Sequence, residues 1–311
     1  MRYIISVLLI VLGLFSSCKN DLYKEVELLK SEPIAETIES TDIASPLDRA
    51  YWYAGKAEVS KYKLSQNRYR DVHDGEVVMI FVTEDFLTDK QVKNDNYVNK
   101  NSTPILKTNQ LKRFTTGIYD YSMMTSVFTR ADGSMTEKVT LGSQDWCGHS
   151  FVQVNNKKNG YHILIRSYFE SEGDQEFVIK ADLLEDELFN LIRINPSLIK
   201  EGSFKILPSL NYLRLTHRKM EGIDATITKT SGSQNTVSLS YPSLNREIII
   251  SYEPTSPYKI ISFDESYPSM FDKQLRTSKA TKVSEIYDAY WSMNKANDKS
   301  KRSELGVTGF D

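Results

Sequence analysis

From Gly117 onward the chain alternates apolar and polar residues with a period of two, the mark of strands that bury one face. Turn signals interrupt the alternation at roughly the 8–12 residue spacing of an antiparallel meander. They are Ala131-Asp132-Gly133, Asn155 to Gly160, Ser171 to Asp174, Glu201-Gly202, Glu221-Gly222, Ser231 to Ser233, Leu244-Asn245 and Pro254 to Pro257. Upstream, Glu76 to Thr83 is a β-branched apolar run that follows the turn His73-Asp74-Gly75, and a polar loop, Asp89 to Pro104, separates it from the meander. Three stretches depart from period two. Ser45-Pro46 before Leu47 reads as a capped helix start, with a short helix to about Ala54. Leu184, Leu188, Leu191 and Ile192 keep helical spacing within Leu183 to Arg193, and Asn195-Pro196 stops that helix. Val283, Ile286, Tyr287, Tyr290 and Trp291 also fit helical spacing and predict a helix near the C-terminus. About ten consecutive antiparallel strands without βαβ alternation exclude a doubly wound parallel sheet, and a sheet that long must curl, split or close. The pattern predicts a mainly β, β-rich α+β fold. Its centre is a large curved antiparallel sheet or half-barrel with one or two helices against the concave side. The folded body spans 46–295 as a single domain, and 296–311 is a loose polar tail.

One patch of that sheet can be derived further. Pairing across the turns Asn155–Gly160 and Ser171–Asp174, with Val154 opposite Tyr161 and Phe169 opposite Gln175, sorts three strands into two faces. Val152, Val154, Ile163, Ile165, Phe177 and Ile179 fall on one face, which must be buried. Cys147, His149, Arg166, Tyr168 and Glu176 fall on the other, with Gln153 and His162 further along. This second face is the candidate for chemistry. Cys147 and His149 are candidate catalytic residues, because a thiolate with an adjacent base is the minimum for nucleophilic attack. Arg166, Tyr168, Glu176 and His162 are the candidate ligand-binding residues, with Arg166 suited to hold an anionic group bidentately. Against catalysis, no carboxylate is placed to orient His149, the cysteine is not at a helix N-terminus, and Arg166 disfavours an imidazolium beside it.

The N-terminus carries an address. After Arg2 the chain runs apolar from Tyr3 to Phe15, thirteen residues, well short of the roughly 20 needed to span a bilayer as a helix. Residues 1–17 therefore read as a signal peptide. The run ends in Leu14-Phe15-Ser16-Ser17-Cys18, which resembles the lipobox of bacterial lipoproteins. That resemblance implies a diacylglyceryl group on the sulfur of Cys18 and cleavage just before it. Two acyl chains suffice for stable anchoring. Lys19-Asn20-Asp21 is similar to the Lys-acidic export tag on surface lipoproteins of the Bacteroidota. Residues 18–45 then form the lipidated cysteine and an acidic tether, broken by Pro33, long enough to span about 30 Å. The expected place is the bacterial outer membrane, lipid-anchored, on its periplasmic face or the cell surface.

Composition narrows the function. Hydrophobic residues are 40% and charged residues 26%, so wholesale disorder and a membrane bundle are excluded. Lys plus Arg number 39 and Asp plus Glu 41, a formal charge of −2 that leaves no electrostatic footprint for nucleic acid. Four scattered histidines without a close pair argue against a zinc site, and no cofactor or metal is implied. Glu170, Glu172, Asp174 and Glu176 crowd one hairpin tip, but without the fixed positions of an EF-hand loop they read as a solvated turn. Arg214 and Arg218 read as one face of a strand, opposite Leu213, Leu215 and a hydrogen-bonded core His217. The phosphate-loop, nucleophile-elbow, zinc-helix and dinucleotide motifs are all absent.

Two wider likenesses remain. The element order resembles the lipoprotein-carrier architecture of bacterial envelopes, a likeness of fold alone. Four segments are similar to Bacteroidota envelope lipoproteins that often carry the label "septum formation inhibitor Maf". They are Ala50 to Glu58, Met79 to Phe86, Tyr121 to Thr125 and Tyr168 to Gln175. The Maf pyrophosphatases start S-x-S-P-R-R. Here Ser45-Pro46 is followed by Leu47-Asp48 and Ser256-Pro257 by Tyr258-Lys259, so no Maf catalytic residue carries over. The leading expectation is a non-enzymatic, membrane-anchored binding protein for an apolar or amphipathic ligand or a partner envelope protein, with a groove between sheet and helix. A Cys/His thiol hydrolase and a Maf-type nucleotide pyrophosphatase are the alternatives.

Overall fold

The computed structural model describes residues 46–307, so Cys18, the signal peptide and the tether lie outside the described residues. Over half of the chain is strand, 55%, against 15% helix. The strands in chain order are β1 (Ala57–Arg68), β2 (Asp71–Leu87), β3 (Val92–Lys93), β4 (Ser102–Thr116), β5 (Tyr119–Arg130), β6 (Thr136–Asp145), β7 (Gly148–Lys157) and β8 (Gly160–Ser167). There follow β9 (Gln175–Ile179), β10 (Leu183–Leu184), β11 (Gly202–Leu207), β12 (Ile223–Thr230), β13 (Asn235–Tyr241), β14 (Arg246–Tyr252), β15 (Ile260–Pro268) and β16 (Leu275–Asp288). The helices are α1 (Arg49–Trp52), α2 (Leu188–Ile194), α3 (Leu210–Thr216) and α4 (Lys299–Leu305).

All sixteen described strands join one sheet, which is not closed. Its order runs β10-β11-β12-β13-β14-β15-β16-β1-β2-β4-β5-β6-β7-β8-β9, with β3 beside β2. Only β10 and β11 pair in parallel; every other described pairing is antiparallel. The two ends of this path, β9 and β10, are neighbours in the chain. At the corner between them the Asp182 N–H donates to the Lys205 carbonyl at 2.7 Å, which draws the rims together there. Further along, the seam stays open.

Period two decides which residues face inward. Val77, Met79 and Phe81 of β2, Val152 and Val154 of β7, and Ile163 and Ile165 of β8 all lie in the core. The patch derived from sequence has the right faces and the wrong register. Val154 pairs with Ile163 and Phe151 with Arg166, two residues from the expected partners, and β9 slips by four. Both slips are even, so each side chain keeps its face.

Helices α2 and α3 lie against the concave side, and every residue of both is buried. The groove expected between sheet and helix is therefore filled. A small polar cavity of about 30 Å³ lies there, large enough for one or two waters. The filling is polar as well as apolar. Arg193 of α2 reaches Glu58 of β1 through two bonds of 2.7 and 2.6 Å, and its guanidinium lies over the rings of Trp52 and Phe81. Burial pushes the Glu58 carboxyl up, but the charge and paired hydrogen bonds of Arg193 outweigh it and hold it below the usual range. Glu185, just before α2, takes two bonds of 2.6 and 2.5 Å from Arg246 of β14 and a third from Tyr241. Asn190 donates to the carbonyls of Leu106 and Val127, and Asn211 of α3 donates to Gln110 and Thr125. The helices are thus held in register on the sheet by directional bonds that a greasy interface would lack.

Four sequence readings need correction. Residues 283–288 are strand, part of β16, because a bulge opposite Lys61 and Tyr62 leaves Val283 as an extra residue and breaks the period of two. Residues 213–216 are helix, part of α3, so Arg214 and Arg218 do not share a strand face. Gly75 lies inside β2, and the turn is at Tyr69-Arg70. A Cβ at Gly75 would sit 2.3 Å from the Arg113 carbonyl oxygen on β4, so close approach explains the glycine. Part of the polar tail is ordered: α4 packs on β16, and Leu305 is buried.

Candidate functional site

The open part of the seam is a cleft of about 920 Å³. One wall is edge strand β9 with the β8–β9 hairpin. The other is the end of α3 and the segment 217–220. The floor is apolar, built from Val152, Ile165, Phe177, Leu213 and Met220. Val152, Ile165 and Phe177 point inward by the period of two, Leu213 and Met220 close on them from α3 and the segment after it, and of the five only Phe177 is partly exposed. Above this apolar base the walls are polar and charged, so the cleft offers both kinds of surface to a small molecule.

Arg214 supplies the main polar group. It projects from α3 into the cleft and is 3% exposed. Nε donates to Ser150 at 2.8 Å, one terminal nitrogen meets Asp145 at 3.1 Å, and the other approaches His217 at 3.5 Å. A guanidinium has five N–H donors, so two are left without an acceptor among the described residues. Burial draws its pKa below the ordinary arginine value; Glu172 and Asp145 offset this in part, and nearby Arg68 adds to the fall. The guanidinium also lies 4.3 Å from the Phe169 ring centroid.

A polar bridge crosses the cleft mouth. His217 ends α3 in a left-handed conformation (φ 51°), an unusual place for a residue with a Cβ. Its Nδ1 lies 2.6 Å from Glu172 on the hairpin, and its ring stands edge-on to Phe169. Glu172 also accepts from Ser167 at 2.5 Å. Burial raises the Glu172 carboxyl, but the bonds from His217 and Ser167 and the field of Arg214 outweigh it and hold it below its usual range. Arg218 and Lys219 are exposed beside this bridge and have no carboxylate partner among the described residues.

The residues singled out from sequence scatter around this site. Glu176 borders the cleft, but its carboxylate is bonded to Arg166 on the outer face. Arg166 also faces Asp174 at 3.8 Å and lines, with His149, a separate shallow depression of about 490 Å³. Tyr168 is exposed and lies against Gly148. His162 lies at the other end of β8, bonded to Asn159 at 2.6 Å. Cys147 is a free, exposed thiol in the β6–β7 turn, and no hydrogen bond joins it to His149 among the described residues. Glu172, Asp174 and Glu176 of the hairpin are engaged with His217, Ser167 and Arg166, and no group of three or more His, Cys, Asp or Glu among the described residues is arranged to hold a metal ion.

Sequence reasoning missed the cleft because its polar wall lies in α3, a helix with no polar face. Arg214 fitted a strand as well as a helix, and nothing in the local pattern distinguishes a buried arginine from a surface one. No protein-family model matches the chain, and no curated protein matches it.

Proposed function

We propose that this protein is an envelope lipoprotein, held at the membrane by acyl chains on Cys18, that binds an amphipathic ligand without chemically changing it. The seam cleft is the binding site. The observation that carries this reading is the cleft itself: a cavity whose base is formed by the core residues Ile165 and Leu213 and the partly exposed Phe177, beside the buried guanidinium of Arg214. An apolar floor next to a desolvated charge suits a molecule with one apolar part and one polar end. The filled concave face moves the site away from the sheet–helix groove that the element order suggested. The isolated positions of Cys147 and His149 give no support to a thiol hydrolase.

The test is native mass spectrometry of the protein extracted from its own envelope, alongside a Cys18→Ser variant. We expect a mass that includes acylation at Cys18 and a retained small molecule. The variant should leave the membrane fraction. A Cys18→Ser protein that still fractionates with the envelope overturns the anchor, and a ligand held equally well by a Leu213→Glu variant overturns the cleft.

A further inference from the structure

The wall of the cleft formed by α3 and residues 217–220 carries Arg214, Arg218 and Lys219 and no carboxylate. Near it, Arg68 is buried with its donors on the Tyr121 hydroxyl and the Leu215 carbonyl and no carboxylate among its partners. Arg214 has Asp145 as its single ion-pair partner, Glu172 is taken up by His217 and Ser167, and Arg218 and Lys219 add two exposed cations. The buried cations Arg68 and Arg214 are equalled in number by the inner carboxylates Asp145 and Glu172, and Asp174 and Glu176 on the opposite wall are paired with Arg166, so the exposed Arg218 and Lys219 are the cleft cations without a carboxylate partner among the described residues. Positive charge at the mouth and the two free donors of Arg214 favour an anion, and the planar fork of arginine matches a carboxylate or phosphate.

Resting on the binding reading above, we infer that the cleft selects an anionic amphiphile, with its carboxylate or phosphate on the free donors of Arg214, its charge shared by Arg218 and Lys219, and its apolar chain on Ile165, Phe177 and Met220. Arg214 reads the headgroup because it is fixed by Ser150 and Asp145 and has no freedom to turn away. Arg218 and Lys219 set the field at the mouth.

The experiment titrates the full chain, reconstituted in zwitterionic phosphatidylcholine vesicles, with octanoate, octyl phosphate, 1-octanol and octyltrimethylammonium. Calorimetry against empty vesicles gives each affinity. We expect both anions to bind at least tenfold more tightly than the alcohol, and the cation to bind no more tightly than the alcohol. Whichever anion binds more tightly identifies the source, a fatty carboxylate or a phosphate headgroup. Arg218→Glu with Lys219→Glu should weaken the anions at least fivefold and leave the alcohol unchanged. Both residues are exposed, so this variant folds whatever the fate of the buried Arg214→Gln, which should lose the anion preference altogether. Equal affinity for the alcohol and the anions overturns the headgroup inference and leaves the cleft as a binding site. Failure of every probe to bind overturns both.

Discussion

At the scale of single residues, the charges under the helices have the largest consequences. Glu58 and Arg193 are both essentially inaccessible to solvent, and both terminal nitrogens of Arg193 are bonded to the Glu58 carboxylate. Removing one partner of such a pair leaves a buried charge uncompensated, at a cost of about 3–5 kcal/mol. We expect Glu58→Gln to lower the unfolding free energy by that amount in urea titrations. Glu58→Gln with Arg193→Met should recover much of the loss, since a methionine there still packs on Trp52 and Phe81. Cys147 is the opposite case. It is exposed and has no base, so iodoacetamide should label the native protein at the rate of a free cysteine, and His149→Ala should leave that rate unchanged. A rate that drops in the variant would restore the thiol chemistry that the sequence spacing brought to mind.

At the scale of elements, the turn leading into α2 holds Asp186, half-buried, and Glu187, buried. Burial pushes Glu187 up to about 7, against smaller downward pulls from Thr136 and the Leu184 N–H. Burial likewise pushes Asp186 up to about 6, with the Leu210 N–H pulling against it. For a carboxyl raised in the folded state, the unfolded chain gives up its proton first. The stability it contributes is complete below the ordinary carboxyl pKa and is lost as pH rises through the folded value. The protein should therefore be more stable near pH 5 than near pH 8, and Glu187→Gln should flatten that slope in thermal melts at the two pH values. The elements also show what could be read from sequence. The β class and the faces of β7 to β9 were legible because one-sided burial leaves a period, and α2, although wholly buried, was legible from its apolar spacing and the Asn195-Pro196 stop. Helix α3 was not legible, since it too is wholly buried and shows no amphipathic stripe, and no such stop follows it directly. Strand β16 was misread because one bulged residue turned a period of two into a false helical spacing. The cleft was illegible for a different reason. It is made where β9 fails to meet a neighbour, and a missing pairing leaves no mark in the residues that lack it.

At the scale of the whole molecule, β1 is central to the sheet. It is twelve residues long, hydrogen-bonded to β16 on one side and to β2 on the other. Its first residue lies beside α1, at the end of the sheet where Asp48 meets Ser256, and its last, Arg68, lies at the opposite end and bonds to α3. A force that separates the two ends of β1 along its axis would therefore load both ladders in shear, many bonds at once, instead of peeling them singly. Such a body would withstand stretching along that axis, and the α3 wall bonded to Arg68 would keep its place while the load lasts.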